Sequence, residues 1–339
     1  MSFKEAATEL VREALDGQFE FLVLRGADEF AHQDGDLDVL VPRNQSILAL
    51  LLVGEEACKA GWRIAAIGDI GYLSQICLVK RCNASGQYRA VKVDFFNGAS
   101  WAALGDDPLG RAVLDIRKDN GSLEAIGLTT LLQKLLYGGH LRARDRARIA
   151  VACDHDRIEA FVTANGLPLT RADLDRGKLS SATRWRLRAA SSGVRLAGMP
   201  AWIAKVVWRK LHFAVVRSTI QGWVLIVSGA DSDRRAELIA RYQLLLERSG
   251  FPKLAIETRS DAKGLAFTSR LLTAWRGLRG ETVLVNCLHA NSGAPGARWC
   301  STALHITLPD RGSYTHDDLD VLLATVSQKA LSTLREMRT

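Results

Sequence analysis

Residues Phe19 to Val41 read FEFLVLRGADEFAHQDGDLDVLV, and the two apolar runs within them set the reading of the whole chain. The first run, Phe21 to Leu24, stops at Arg25-Gly26-Ala27; a polar loop follows, and the second run opens with Asp36-Leu37-Asp38. Apolar runs of this length bounded by Gly and Asp predict short buried strands. Side chains alternate faces along a strand, so Asp36 and Asp38 point the same way, roughly 7 Å apart. Two carboxylates on one face at the start of a buried strand repel each other, and packing gives no reason for them. They suit a turn cap or a structural Ca²⁺ site, but a Mg²⁺ ion held beside substrate phosphates explains them better. A third carboxylate sits in the strand-like run Ala90 to Phe96. On a neighbouring strand, Asp94 would complete a triad able to hold two metals.

An apolar strand, Gly-(Ser/Gly), a spacer, Asp-x-Asp and a distal Asp form a pattern similar to that of the nucleotidyltransferase superfamily, whose founding fold is the DNA polymerase β palm. The resemblance implies a mixed α+β sheet with a glycine turn that receives the β/γ-phosphates. It also implies three acids holding two Mg²⁺ (or Mn²⁺) ions for in-line attack on the α-phosphate of a nucleoside triphosphate. Residue by residue, Gly26 matches the turn glycine, Asp36 and Asp38 the pair, and Asp94 the third acid, with Arg25 flanking the turn. Ala27 departs from the usual Ser or Gly. That removes a hydroxyl contact worth about 1 kcal/mol and leaves the backbone N–H groups.

A chain of 339 residues is comfortable for two domains, and 47% apolar residues allow sizeable cores. No apolar run approaches the ~18 residues a membrane span needs. The N-terminal MSFKEAATELVREALDG reads as an amphipathic charged helix and not as a signal peptide. A cytoplasmic protein is expected. Cys58, Cys77, Cys82, Cys153, Cys287 and Cys300 show no CxxC spacing, which predicts reduced, mostly buried thiols and no zinc site. The net charge of +8 is unevenly placed: Arg176 to Ala230 carries ten basic residues and no acidic one. Such asymmetry points to an anionic partner or membrane surface, although a solvated face is the default.

In chain order, residues 3–16 predict a helix, 44–60 a second, and 62–67, 72–80 and 88–96 three strands, the last two paired as a hairpin carrying Asp94. Asp119-Asn120-Gly121 predicts a further hairpin over 112–126. From Leu128 the period turns helical. By likeness to proteins in which a helical segment after the palm encloses the nucleotide, Lys134, Arg142 and Arg146 are candidate triphosphate contacts; a solvated helix flank is the competing reading. Residues 198–221 predict an amphipathic helix with Trp202, Ile203, Val206 and Val207 on one side and Lys205, Arg209 and Lys210 mostly off it. That pattern suits a membrane interface or a helix packed between domains. No nucleic-acid-binding module is recognisable.

The segment 222–339 resembles the thymidylate-kinase-like P-loop kinases in its strand–loop–helix order, with strands expected at 223–227, 253–258, 281–288 and 302–308 and helices at 233–249 and 316–336. Its loop is degenerate. In the place of GxxxxGK(S/T), Gly229 is followed by Arg234 at the second glycine, Arg235 at the lysine and Ala236 at the hydroxyl position. The expected fold is therefore α/β: a palm-like domain over 1–127, a helical and basic connector over 128–221, and a P-loop-like α/β domain over 222–339 that has lost phosphate transfer. Fusions of this kind are met in bacterial polysaccharide and secondary-metabolite loci. The implied activity is Mg²⁺-dependent transfer of a nucleoside monophosphate to an acceptor hydroxyl or phosphate, a sugar phosphate among the candidates. Alternatives are a non-catalytic nucleotide-binding scaffold and a small-molecule kinase.

Overall fold

The computed structural model describes residues 2–25, 36–82, 86–101, 104–120, 122–215, 224–229, 232–249, 251, 255–259, 283–287, 303–308 and 315–338. The fold is mixed α/β. Helix α1 (Phe3–Leu15) starts on a reciprocal cap: Glu5 N–H donates to Ser2 Oγ at 3.1 Å, and Ser2 N–H donates to the Glu5 carboxylate at 2.6 Å. Strands β1 (Leu22–Arg25) and β2 (Leu37–Val41) follow, then α2 (Ser46–Lys59), β3 (Arg63–Asp69), β4 (Leu73–Arg81) and β5 (Tyr88–Asn97). They form a five-stranded sheet in the order β1-β2-β5-β4-β3, in which β2 and β5 run parallel and the other neighbours antiparallel.

The pleat sorts the side chains. Leu37, Val39 and Val41 of β2 and Val91, Val93 and Phe95 of β5 are buried in a core that also holds α1 and α2. Leu22, Leu24 and Leu40 point the other way, into a second core built by the helices that follow. Those helices are α3 (Pro108–Asn120), α4 (Ser122–Gln133), a π-helical turn over Lys134–Gly138, α5 (Ala143–Ala152), α6 (His155–Ala164), α7 (Arg171–Arg176), α8 (Ser181–Ser191) and α9 (Met199–Val215). The hairpin expected over 112–126 is therefore two helices. Leu109, Val113 and Leu114, then Ala125, Leu128, Leu131 and Leu132, are buried at helical spacing. An Asn-Gly pair marks a helix stop as readily as a hairpin turn, and the apolar period decides between them. The start of α3 is held by the buried Asp107, whose carboxylate accepts from the N–H groups of Ala99, Ser100 and Gly110 at 2.9–3.2 Å.

The last third supplies a four-stranded parallel sheet in the order β7-β8-β6-β9, from β6 (Val224–Gly229), β7 (Ala255–Arg259), β8 (Val283–Cys287) and β9 (Ala303–Leu308). Its helices α10 (Ser232–Arg248) and α11 (His316–Arg338) share the core of the first sheet, through Leu238, Tyr242, Leu246, Leu319, Leu323 and Val326. The junction is polar as well as apolar, and it uses a flaw in edge strand β3. The register slips between Ile64 and Ala66, and such a bulge leaves backbone groups without ladder partners. Tyr242 Oη donates to the carbonyl of Ala65 at 2.6 Å, and Ser327 Oγ accepts from Ile64 N–H at 2.8 Å. An edge strand left bare invites unwanted pairing; here two helices cover it. Tyr242→Phe should cost about 1–3 kcal/mol, the desolvation penalty of an orphaned buried carbonyl. Equilibrium urea unfolding at neutral pH measures it, and no loss would show that water replaces the hydroxyl.

Candidate active site

Parallel pairing of β2 with β5 puts Asp38 directly beside Asp94. Asp36 precedes Asp38 by two residues and Lys92 precedes Asp94 by two, so all four side chains share one face of the sheet. On the far side of β5, Gln75 is the partner of Asp94 and Cys77 of Lys92. Lys92 Nζ lies 3.0 Å from Asp36 Oδ2 and 3.1 Å from Asp94 Oδ2, so the two carboxylates are brought together around one ammonium. Gln75 Nε2 donates to the other Asp94 oxygen at 2.9 Å. The side chains of Asp94 and Lys92 are 8% and 10% exposed, while that of Asp36 keeps 37%. Asp38 is buried.

Burial pushes the Asp94 carboxyl up, against the opposing pull of Lys92 and Gln75. Burial acts to lower Lys92, but Asp94 and Asp36 outweigh it and the ammonium is held above its ordinary value. The repulsion between carboxylates that the sequence predicts is thus offset from within the chain. Lys92 is the residue that sequence reasoning passed over. Its place on the face of Asp94 is legible from the Lys-x-Asp alternation, but its bond to Asp36 depends on two strands distant in sequence.

The other expected contacts fall in three groups. Arg25 ends β1 in register with Asp38, so the turn that follows starts beside the acids; Gly26 and Ala27 lie outside the described residues. Lys134 opens the π-helical turn and is half-buried. Arg142 and Arg146 make no ion pair to the three acids. Arg142 is exposed at the start of α5, and Arg146 packs against Gly177 and reaches the Asp175 carbonyl at 3.5 Å.

Another cation touches the motif strand. Arg148 of α5 donates to the carbonyl of Leu24, two residues before Gly26. Tyr72, whose phenol is pushed up by burial and then by Asp94, stacks on Tyr137 of the π-helical turn with ring centroids 5.5 Å apart. Beyond Tyr137 lies Arg209 of α9, lowered by burial and in the electrostatic reach of Asp69, Arg43 and Tyr137. The helical layer thus sets Tyr137 against Tyr72, which lies in the electrostatic reach of Asp94, and sets Arg209 in the reach of Asp69. No composition signal singles out Arg148 or Arg209 from the other arginines.

The donors suit a hard divalent cation, being carboxylates with neither His nor Cys ligands. Among the described residues, however, no three acidic, His or Cys side chains are drawn around one point as a ready metal site. The carboxylates instead surround an ammonium, so a divalent ion fits only where Lys92 gives way.

In the last third, β6 ends at Gly229, and Arg234 and Arg235 lie buried in α10. Arg234 turns to α11 and forms a two-pronged pair with Asp318, at 2.9 and 2.7 Å. Comparison of the chain with family models, with curated proteins and with solved structures finds no match.

Proposed function

We propose that this chain is a Mg²⁺-dependent nucleotidyltransferase, which moves a nucleoside monophosphate from a triphosphate to an acceptor hydroxyl or phosphate. The observation that carries the reading is the parallel register that sets Asp36, Asp38 and Asp94 on one face of the sheet. These three would hold the ion, Mg²⁺ or Mn²⁺, where Lys92 gives way. When bound, it would neutralise phosphate charge and orient the reacting oxygens. Gln75 fixes the orientation of Asp94 through its 2.9 Å bond. Lys92 neutralises the acids in the absence of substrate and yields its place on loading. Arg148, bound to the Leu24 carbonyl, supplies positive charge beside the turn. Catalysis rests on positioning and charge, with no covalent enzyme intermediate.

A second reading has its own support, the Lys92 ion pairs. If the ammonium is a permanent counterion, the fold is a non-catalytic scaffold that binds a nucleotide or partner. Incubation with Mg²⁺ and each nucleoside triphosphate separates the two. The first predicts pyrophosphate release, reduced roughly a thousandfold in Asp94→Asn, equivalent to several kcal/mol of transition-state stabilisation. Nucleotide binding with no product supports the scaffold. Release of nucleoside diphosphate would instead assign a kinase activity.

A further inference from the structure

Helix α9 carries an apolar face on each side. Trp202 and Val206 are 3% and 2% exposed in the helical core, where Trp202 packs on Trp101 and Trp185 with centroids 6.1 and 5.8 Å away. The sequence groups Ile203 and Val207 with them; the structure separates the set, leaving Ile203 and Val207 exposed with Trp208 and Leu211. Trp208, at 72%, is the most exposed of these four apolar side chains. At about 3.6 residues per turn, Ala204, Val207, Trp208 and Leu211 form the crest opposite Trp202 and Val206, with Lys210 on one shoulder and Lys205 and His212 on the other. Both lysines are exposed, Lys210 with its ammonium 5.9 Å from the centroid of Trp185.

The stretch of chain that carries α9 is basic. Of the ten basic residues between Arg176 and Ala230, Arg188 is turned inward, where it donates to the carbonyl of Leu136 at 2.8 Å and stacks over Trp101. Arg184 and Arg209 are half-buried; Arg176, Lys178, Arg186, Arg195, Lys205 and Lys210 are exposed. The stretch itself holds no carboxylate; from outside it, Asp173 pairs with Arg176 at 3.4 Å and Asp69 acts on Arg209.

We propose that the outer face of α9 docks the protein onto an anionic lipid surface. The helix lies in the headgroup plane, with Val207, Trp208 and Leu211 inserted and Lys205 and Lys210 reaching the lipid phosphates. An apolar crest between basic shoulders is the arrangement that suits this interface, because lysine stems run alongside inserted apolar groups while the ammonium groups stay in water. Among the described residues no helix is long and apolar enough to cross a membrane, so α9 lies on the surface and does not span it. A nucleic-acid surface would leave the aliphatic crest of Val207 and Leu211 against charged phosphate, and a protein partner would require its own groove with an acidic rim. The proposal is independent of the activity at the acid-bearing face.

Sedimentation of the full chain with vesicles tests it. Binding is expected to phosphatidylcholine vesicles containing phosphatidylglycerol and not to phosphatidylcholine alone, with a blue shift of tryptophan emission and a steep loss as salt rises. Lys205→Gln with Lys210→Gln should weaken binding roughly thirtyfold, as loss of two surface cations implies. Trp208→Ser with Leu211→Ser should abolish the emission shift. Both pairs sit on exposed positions, so unchanged melting curves will certify the fold. Equal partition into both vesicle types, or unaltered binding by either variant, overturns the proposal. So does a change in the solution mass of Trp208→Ser/Leu211→Ser, which would make the face a contact between copies.

Discussion

Arg234→Ala is expected to lower stability by about 1.5–3 kcal/mol, the loss that follows when a charge-assisted hydrogen-bonded partner is removed. Arg234 and Asp318 side chains are only 8% and 7% exposed and meet through two hydrogen bonds, so the survivor would be a carboxylate that has lost its counterion. Asp318 also accepts from Thr315 N–H at 3.1 Å, at the start of α11. Arg234→Met with Asp318→Leu should recover most of the loss, because desolvation of both charges disappears together. A double-mutant cycle in urea isolates the coupling, and additive losses would show that the pair is not a unit. The pH dependence has a definite sign. Arg234 holds the Asp318 carboxyl below its usual range, against burial, with Thr315 N–H assisting. The pair's contribution is therefore complete above the ordinary aspartate value of about 3.9 and is lost as pH falls through the lower folded value. Asp318→Asn should flatten that part of the acid limb.

Lys92→Met should lower stability at neutral pH by about 3 kcal/mol, near the lower end for a broken buried pair. Asp94 accounts for most of this, since Asp36 keeps enough solvent to screen its charge. Two remedies follow from the chemistry. Burial already pushes the Asp94 carboxyl up, and without Lys92 it rises further. The deficit should then shrink as pH falls and grow as pH rises through that value. Mg²⁺ should also restore stability, by about 2.7 kcal/mol when it exceeds its dissociation constant a hundredfold. Thermal melts of the variant with and without Mg²⁺ read this directly, without reference to turnover. A melting temperature indifferent to Mg²⁺ would count against a metal at these acids and favour Lys92 as a permanent counterion.

Much of this architecture was legible before any coordinates. The strands at Leu37–Val41 and Tyr88–Asn97, the hairpin that carries Asp94 and the helices over 233–249 and 316–336 are all readable from local period and turn residues. The segment 112–126 was misread, because Asn120-Gly121 was weighed above the buried period of Val113, Leu114, Ala125 and Leu128. At the candidate site, alternation alone set Asp36 with Asp38 and Lys92 with Asp94. It could not join one pair to the other, and so the ammonium between Asp36 and Asp94 went unseen.

The same division runs through the rest of the chain. Local sequence determined that α9 has apolar residues beside basic ones. Tertiary structure decided that Trp202 faces the core while Trp208 faces out, and that Arg234 finds Asp318. It also decided that α10 and α11 close over the bulged edge at Ala65. Secondary structure follows from propensity and period among near neighbours. Which strand lies beside which, and which face of a helix is buried, depends on contacts between residues far apart in the chain, as between Ile64 and Ser327.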